Sequence, residues 1–335
     1  MTLIARRLAG HLARGFVMII VVATISFFII NNIPGDPMAA QYDKLLQSGM
    51  SPEAATQAVK VLYGFQPTGS LWQQYTDYIG GLLHLDLGTS VSRPGQPVLG
   101  VLGEAAKWTI LPVLGGTLLS FLVGVILGVY AAIKRKSKLG DALAISGSLL
   151  HGIPQYVLAM LLVVIFATLI PILPADGPVD IMFEPGFNAG YLGSLAEHAV
   201  LPIATYALSA YGGWVLAMKS SVVTVLGDDF ILAAELRGMK RSIIFRYIAR
   251  NAILPLFTIL ALSLGLLLGG AVFIEKIFNY PGLGWLLIES INTRDYALMG
   301  GAFLLITAAV IVANIVADLF YTVIDPRVRS GEDST

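Results

Sequence analysis

The amino-acid sequence predicts an all-α integral membrane protein with six transmembrane helices and a long external loop, itself carrying short helices, after the first span. Three observations predict this class. Of the 335 residues, 56% are hydrophobic and only 13% charged, about half the charged share of a soluble domain. The apolar residues gather into uncharged runs of roughly the 20 residues that cross a bilayer. Lysine and arginine are concentrated in alternate connections between those runs. A water-soluble globule is therefore excluded. The chain has no cysteine, which rules out disulfides and thiolate metal sites, and its histidines, at 11, 84, 151 and 198, form neither an HExxH motif nor a helical pair.

Residues 1–11 read as the N-terminus and residues 12–30 as span 1, an uncharged run preceded by Arg6 and Arg7 and interrupted only by Arg14. A cleaved signal peptide shares the basic start, but no small-x-small cleavage site follows. Residues 31–107 form the external loop. Within it Ser51-Pro52-Glu53 is a helix start: a cap, a proline at the first helical position and an acid at the positive end. Leu71, Trp72, Tyr75, Tyr78, Ile79, Leu82 and Leu83 share one helix face. Such a helix serves either as a docking platform for an external partner or as a lid on the bundle.

Residues 108–323 make the transmembrane core. Trp108–Ile133 is the second span, with Gly124-x-x-x-Gly128 allowing close helix approach, and it ends in the basic turn Lys134 to Lys138. Ala142–Ile170 is the third, kinked at Pro154, followed by an acidic loop to Glu197. Val200–Met218 is the fourth, Ile253–Phe273 the fifth and Ala297–Val323 the sixth, with a short loop over 274–296 and a tail over 324–335. Six spans put both termini on one side. That side holds Arg6, Arg7, Arg14, the Lys134–Lys138 turn, Lys219, Arg237, Lys240, Arg241, Arg246, Arg250, Arg327 and Arg329. The other side has only Lys44, Lys60, Arg93, Lys107, Lys276 and Arg294. The positive-inside rule makes the termini and the loop 219–252 cytoplasmic.

That cytoplasmic loop is the most patterned connection in the chain. From Asp228 to Pro255 its apolar residues keep helical spacing, Phe230, Ala233 and Ala234 and then, past Gly238, Ile243, Ile244, Tyr247 and Ile248. Two short amphipathic helices hinged at a glycine are expected, a surface for another protein to grip.

No catalytic constellation is present. Gly213 to Ser220 comes nearest to a phosphate loop, but Met218 stands where the glycine before Lys219 is required. The chain is read as non-enzymatic. Among ionisable residues near spans, Asp318 and Asn314 share a face of the sixth span, which suits an interhelical hydrogen bond, with a proton or cation relay as the alternative. Glu197 and His198, at the outer mouth of the fourth, suit gating or packing. His151, beside Gly152 and Pro154, reads as a packing residue, with a path-lining role as the alternative.

Leu232-Ala233-Ala234-Glu235-Leu236-Arg237-Gly238, with Ile253-Leu254-Pro255 after it, resembles the EAA motif of permease subunits of ATP-binding cassette importers. Leu232 stands in place of a glutamate, and the stretch after Gly238 is about one helical turn longer than in sugar-type permeases. Both features are normal in the dipeptide, oligopeptide and nickel branch. Ile33 to Pro37, Asp86 to Ser90 with Pro97-Val98, Gly269 to Val272, Phe278 to Gly284, Arg294-Asp295-Tyr296 and Asp325-Pro326-Arg327 resemble the first permease of that branch. The resemblance implies a type I importer fold in a bacterial or archaeal plasma membrane. It also implies a homologous second permease, two cytoplasmic ATPases that bind ATP and Mg, and an external solute-binding protein. The chain itself would need no cofactor or metal. Coupling to the ATPases would fall on Leu232 to Gly238 with Met239, Lys240 and Arg241, the small Ala233 and Ala234 seating in a groove and Gly238 turning the chain. The implied cargo is a di- or oligopeptide, with oligosaccharide, nickel or opine as alternatives. The rival architecture, a self-sufficient secondary transporter or channel, would call for internal repeats or several buried acids.

Overall fold

The computed structural model describes residues 2–32, 42–43, 45–62, 70–260, 263 and 272–324. Among these residues the regular elements are helical: α1 (Thr2–Asn31), α2 (Pro52–Leu62), α3 (Leu71–Leu83), α4 (Val98–Ile133), α5 (Lys138–Gly152), α6 (Gln155–Val163), α7 (Ala189–Val225), α8 (Asp229–Leu236), α9 (Arg241–Ala252), α10 (Val272–Ile277), α11 (Leu283–Thr293) and α12 (Tyr296–Ile324). The Ile33-to-Pro37 motif, the glycines of the expected fifth span and the tail beyond Ile324 lie outside the described residues. Two compact units are distinguished, Met1–Thr109 with Pro281–Ile311 and Ile110–Tyr280 with Val312–Thr335.

Among the described residues five helices are long and apolar enough to cross a membrane, namely α1, α4, α7, α12 and the run Arg241–Leu260, which continues α9 and so starts before the expected fifth span at Ile253. One bent pair makes a sixth crossing if it is counted as one span. That pair corrects the expected third span. α5 and α6 meet at 98°, too sharp for one kinked helix. Ile153, which precedes Pro154, takes extended backbone at φ −82°, ψ 124°, as steric conflict with a following proline ring requires. After α6 the chain widens into π-type turns over Val164–Leu169. Other boundaries also move. α4 begins at Val98 rather than Trp108, started by Pro97 where a missing N–H costs nothing. α7 begins at Ala189, capped by Asn188 Oδ1 on the Tyr191 N–H at 2.8 Å. It is 37 residues long, about 55 Å at 1.5 Å per residue, longer than a bilayer core requires, and it includes Glu197 and His198 towards its N-terminal end. The expected loop over 274–296 contains the helix α11.

In the first unit, α3 lies on α1. A capping box between Ser70 and Gln73 starts α3. Tyr75 and Tyr78 then each bring a ring centroid to 5.5 Å from Phe27, and the Tyr75 hydroxyl meets Thr24 Oγ1 at 2.9 Å. These are contacts of the kind the lid reading calls for, while Leu71 and Trp72 stay exposed. Burial pushes the Tyr78 hydroxyl pKa up to about 12. Val98, Leu102, Leu286, Leu298 and Ala302 form the core beneath.

The second unit is organised by the contact of α4 with α7. Gly116, Ser120, Gly124 and Gly128 recur every four residues down α4 and face Tyr206, Trp214 and Met218 on α7. A Cβ on Gly128 would stand 2.6 Å from Met218 Cβ and 2.8 Å from the Val215 carbonyl, and one on Gly116 or Gly124 would overlap Tyr206 or Trp214. The pair expected at 124 and 128 is thus half of a longer stripe. Ser120 accepts the Trp214 indole N–H at 3.1 Å, leaving neither group unpaired in the apolar contact.

Candidate functional site

The loop expected to couple lies in the second unit and folds as two helices about a glycine. α8 ends in a Schellman motif: the Met239 N–H reaches the Ala234 carbonyl at 3.2 Å, and the Gly238 N–H reaches that of Glu235 at 2.9 Å. Gly238 takes φ +66°, the left-handed conformation this closure needs and glycine supplies without strain. Ser221 Oγ donates to the Ala252 carbonyl at 2.7 Å, fastening the end of α9 to α7.

The inward face of the loop differs from the one its pattern suggests. Ile231 and Ala234 of α8 are buried, with Ile244, Ile248 and Ala252 of α9, in one cluster containing Val125, Val129 and Ala132 of α4 and Met218, Val222 and Val225 of α7. Phe230, Ile243 and Tyr247 are exposed. Of the residues expected to couple, Ala234 is turned into the chain's own core and Met239 is half-buried against it. It is therefore Ala233, not the Ala233–Ala234 pair, that stays available to a groove. Leu232, Ala233, Glu235, Leu236, Arg237, Lys240 and Arg241 are exposed, Leu236 at 81%.

The remaining candidates are dispersed. His198 Nδ1 lies 2.8 Å from the Ser194 carbonyl one turn earlier, and Glu197 is exposed beside it. Asn314 is exposed on α12. Asp318 belongs to the backbone of α12, and its side chain lies outside what the structure describes.

A polar cluster in the first unit was not legible as a site. Asp295, with no exposed surface, is the cap of α12: its Oδ1 accepts the Leu298 N–H at 3.1 Å. Its Oδ2 accepts from Ser90 Oγ at 2.5 Å, from Ser92 Oγ at 2.8 Å and from the Ser92 N–H at 2.9 Å. Arg93 and Glu289, each about one-third exposed, form an ion pair at 3.0 Å alongside. Two motifs that stood apart as family landmarks, the one ending at Ser90 and Arg294-Asp295-Tyr296, are thereby clasped together. The signal available was an acid directly before a long apolar helix, following Arg294 in the left-handed conformation.

Such an arrangement, apolar spans with an exposed, patterned loop seated on the ends of two of them, defines a polytopic helical membrane protein. The chain belongs to the family described as binding-protein-dependent transport system inner membrane component, whose model matches residues 124–330. It is the multi-pass permease component of an ATP-binding cassette importer. The chain is 31% identical to the dipeptide transport system permease protein DppB of Escherichia coli, over 92% of this chain and 94% of that protein. It is 28% identical to the oligopeptide transport system permease protein AppB of Bacillus subtilis, again over 92% and 94% of the two chains.

Proposed function

We propose that this chain is one of two homologous permease subunits of a di- or oligopeptide importer, with both termini and the α8–α9 loop in the cytoplasm. Two ATPases carry the ATP and Mg, and an external binding protein delivers the peptide. The observation that carries the coupling assignment is the single apolar cluster joining α8 and α9 to the ends of α4 and α7. A displacement applied to the exposed side of α8 is passed by close packing to two spans, because packed interiors transmit strain. On that exposed side Leu232, Ala233 and Leu236 give the apolar contact. Arg237, Lys240 and Arg241 surround it, but solvent-exposed ion pairs contribute only ~0.2–1 kcal/mol each, so shape and burial dominate the grip. The names of the relatives support peptide as cargo.

The test is uptake of a labelled dipeptide by the assembled transporter in vesicles. Leu236→Glu is expected to leave the amount of membrane-inserted chain unchanged, to release the ATPases and to reduce uptake at least tenfold. Undiminished uptake with Leu236→Glu would remove α8 from the coupling path. Transport of nickel or an oligosaccharide in place of dipeptides by the unaltered assembly would overturn the substrate.

A further inference from the structure

The break between α5 and α6 carries a second feature. Within the second unit, α5 touches α7 through glycines: a Cβ on Gly212 would overlap the Gly147 carbonyl and stand 3.0 Å from His151 Cβ, and one on Gly213 would lie 3.4 Å from the His151 ring. Backbone contact this close brings polar side chains of three helices to one level. Gln155, the first residue of α6, donates from Nε2 to Ser209 Oγ at 3.2 Å, and Ser146 meets the Tyr211 hydroxyl at 3.4 Å. His151, Gly152 and Pro154 are exposed, and Gln155, Ser209 and Tyr211 are partly so.

The depth of this level follows from α7. Ser209 stands between Lys219 and Glu197, about 15 Å from the first and about 18 Å from the second along the helix axis, which is mid-bilayer for a hydrocarbon core of about 30 Å. Non-helical backbone and polar side chains at that depth are tolerated against protein or water, not against lipid. From Ala142 to Ala175 the sequence has no Asp, Glu, Lys or Arg, so the groups that α5 and α6 themselves contribute here are hydrogen-bonding side chains and not carboxylates, ammonium or guanidinium groups; the buried Glu275 belongs to α10, which packs on α6. Gln155 presents a carbonyl oxygen as well as its amide, and His151 presents both a donor and an acceptor nitrogen. Groups of that kind match the alternating N–H and C=O of a peptide main chain and are indifferent to its side chains.

We propose that this break is a mid-membrane hydrogen-bonding station for the main chain of the transported solute, with His151 and Gln155 as the contacting groups and Ser209 positioning Gln155. It rests on the reading of the cargo as peptide. Because the chain contains no cysteine, single cysteines report directly. Each of His151→Cys, Gln155→Cys, Leu149→Cys and Met160→Cys is placed in the complete transporter, with its partners made cysteine-free, in proteoliposomes. The reagent is a charged, water-soluble methanethiosulfonate. Leu149 and Met160 are exposed apolar positions on other faces of the same two helices. Cysteines at 151 and 155 are expected to react at least tenfold faster than those at 149 and 160, and several-fold more slowly during dipeptide turnover with binding protein and ATP. Equal rates at all four positions would overturn the proposal by placing the break against lipid or protein. Fast labelling that turnover does not slow would also overturn it, and dipeptide uptake by the same vesicles then separates the two failures. Intact uptake means that only the station is wrong, and lost uptake of the unlabelled parent means that the cargo reading has fallen too.

Discussion

Replacing Asp295 by asparagine is the substitution whose outcome the structure constrains most tightly. Both carboxylate oxygens accept: Oδ2 takes Ser90 Oγ, Ser92 Oγ and the Ser92 N–H, and Oδ1 takes the Leu298 N–H. Asparagine has one acceptor oxygen and one donor amide. With its NH2 towards the serines, their hydroxyls can turn to accept, but the Ser92 N–H is left facing a donor. With the amide reversed, the Leu298 N–H at the start of α12 is the one left. A buried N–H without an acceptor costs ~1–3 kcal/mol, and hydrogen bonds to a charged group contribute ~1.5–3 kcal/mol each. Asp295→Asn is therefore expected to destabilise by about 2–4 kcal/mol. Asp295→Ala, which also loses the helix cap, is expected to cost about 3–5 kcal/mol, and Ser92→Ala, which removes one donor while Ser90 Oγ and the Ser92 N–H still serve Oδ2, about 1.5 kcal/mol. Thermal unfolding of the purified chain in detergent, with protease nicking of 86–97 as a local readout, should rank them wild type, Ser92→Ala, Asp295→Asn, Asp295→Ala. An Asp295→Asn protein as stable as Ser92→Ala would refute the two-sided acceptor argument.

Gly128→Val places branched carbons against Met218 and the Val215 carbonyl and should cost at least ~1–3 kcal/mol by overpacking; the check is loss of folded chain on detergent size exclusion, with Leu118→Val, at an exposed position, as control. At Gly238 nothing lies within 4 Å of an added Cβ, so backbone conformation alone sets the cost: Gly238→Val should lose ~1–2 kcal/mol while Gly238→Asn, which tolerates the left-handed region, loses less. Gly238→Asp should likewise leave insertion intact yet abolish dipeptide uptake, measured beside immunoblotted membrane levels. Tyr78 supplies a pH test. Its folded pKa is raised, so the folded state holds the proton more tightly; stability is full below about pH 10, the unfolded value, and falls as pH rises towards about 12. Tyr78→Phe should flatten that decline in the thermal midpoint between pH 9.5 and 11.5.

Much of the architecture was readable because bilayer spans impose a coarse code. Length, apolarity and the sidedness of lysine and arginine need no tertiary knowledge, and the Gly238 hinge followed from helical spacing on both sides of it. The inward face of α8 was misjudged by one residue. Alanine carries too little hydrophobic signal to set a face, and Phe230 outweighed Ile231 in the pattern although Ile231 is the buried one. The third span was read as kinked because its composition is continuous, whereas the 98° turn depends on the conformation of the single residue Ile153. The Asp295 clasp joins residues 205 positions apart, and no local pattern encodes a partnership of that separation. α11 was hidden because Tyr280-Pro281-Gly282 reads as a turn and drew the following apolar residues into the same loop.

The four-residue stripe on α4 bears on how force would travel. Where two helices are separated by full side chains, each can slide or roll while rotamers adjust between them. Gly116, Gly124 and Gly128 remove that cushion, setting the α4 backbone against Cβ atoms and carbonyls of α7. The two spans then bend and tilt as a doubled beam, stiffer than either alone. Because α8 follows α7 after only a few residues and is seated on the foot of both, a push on the loop, if it couples as proposed, would act as torque on the beam, with little dissipated in relative slip.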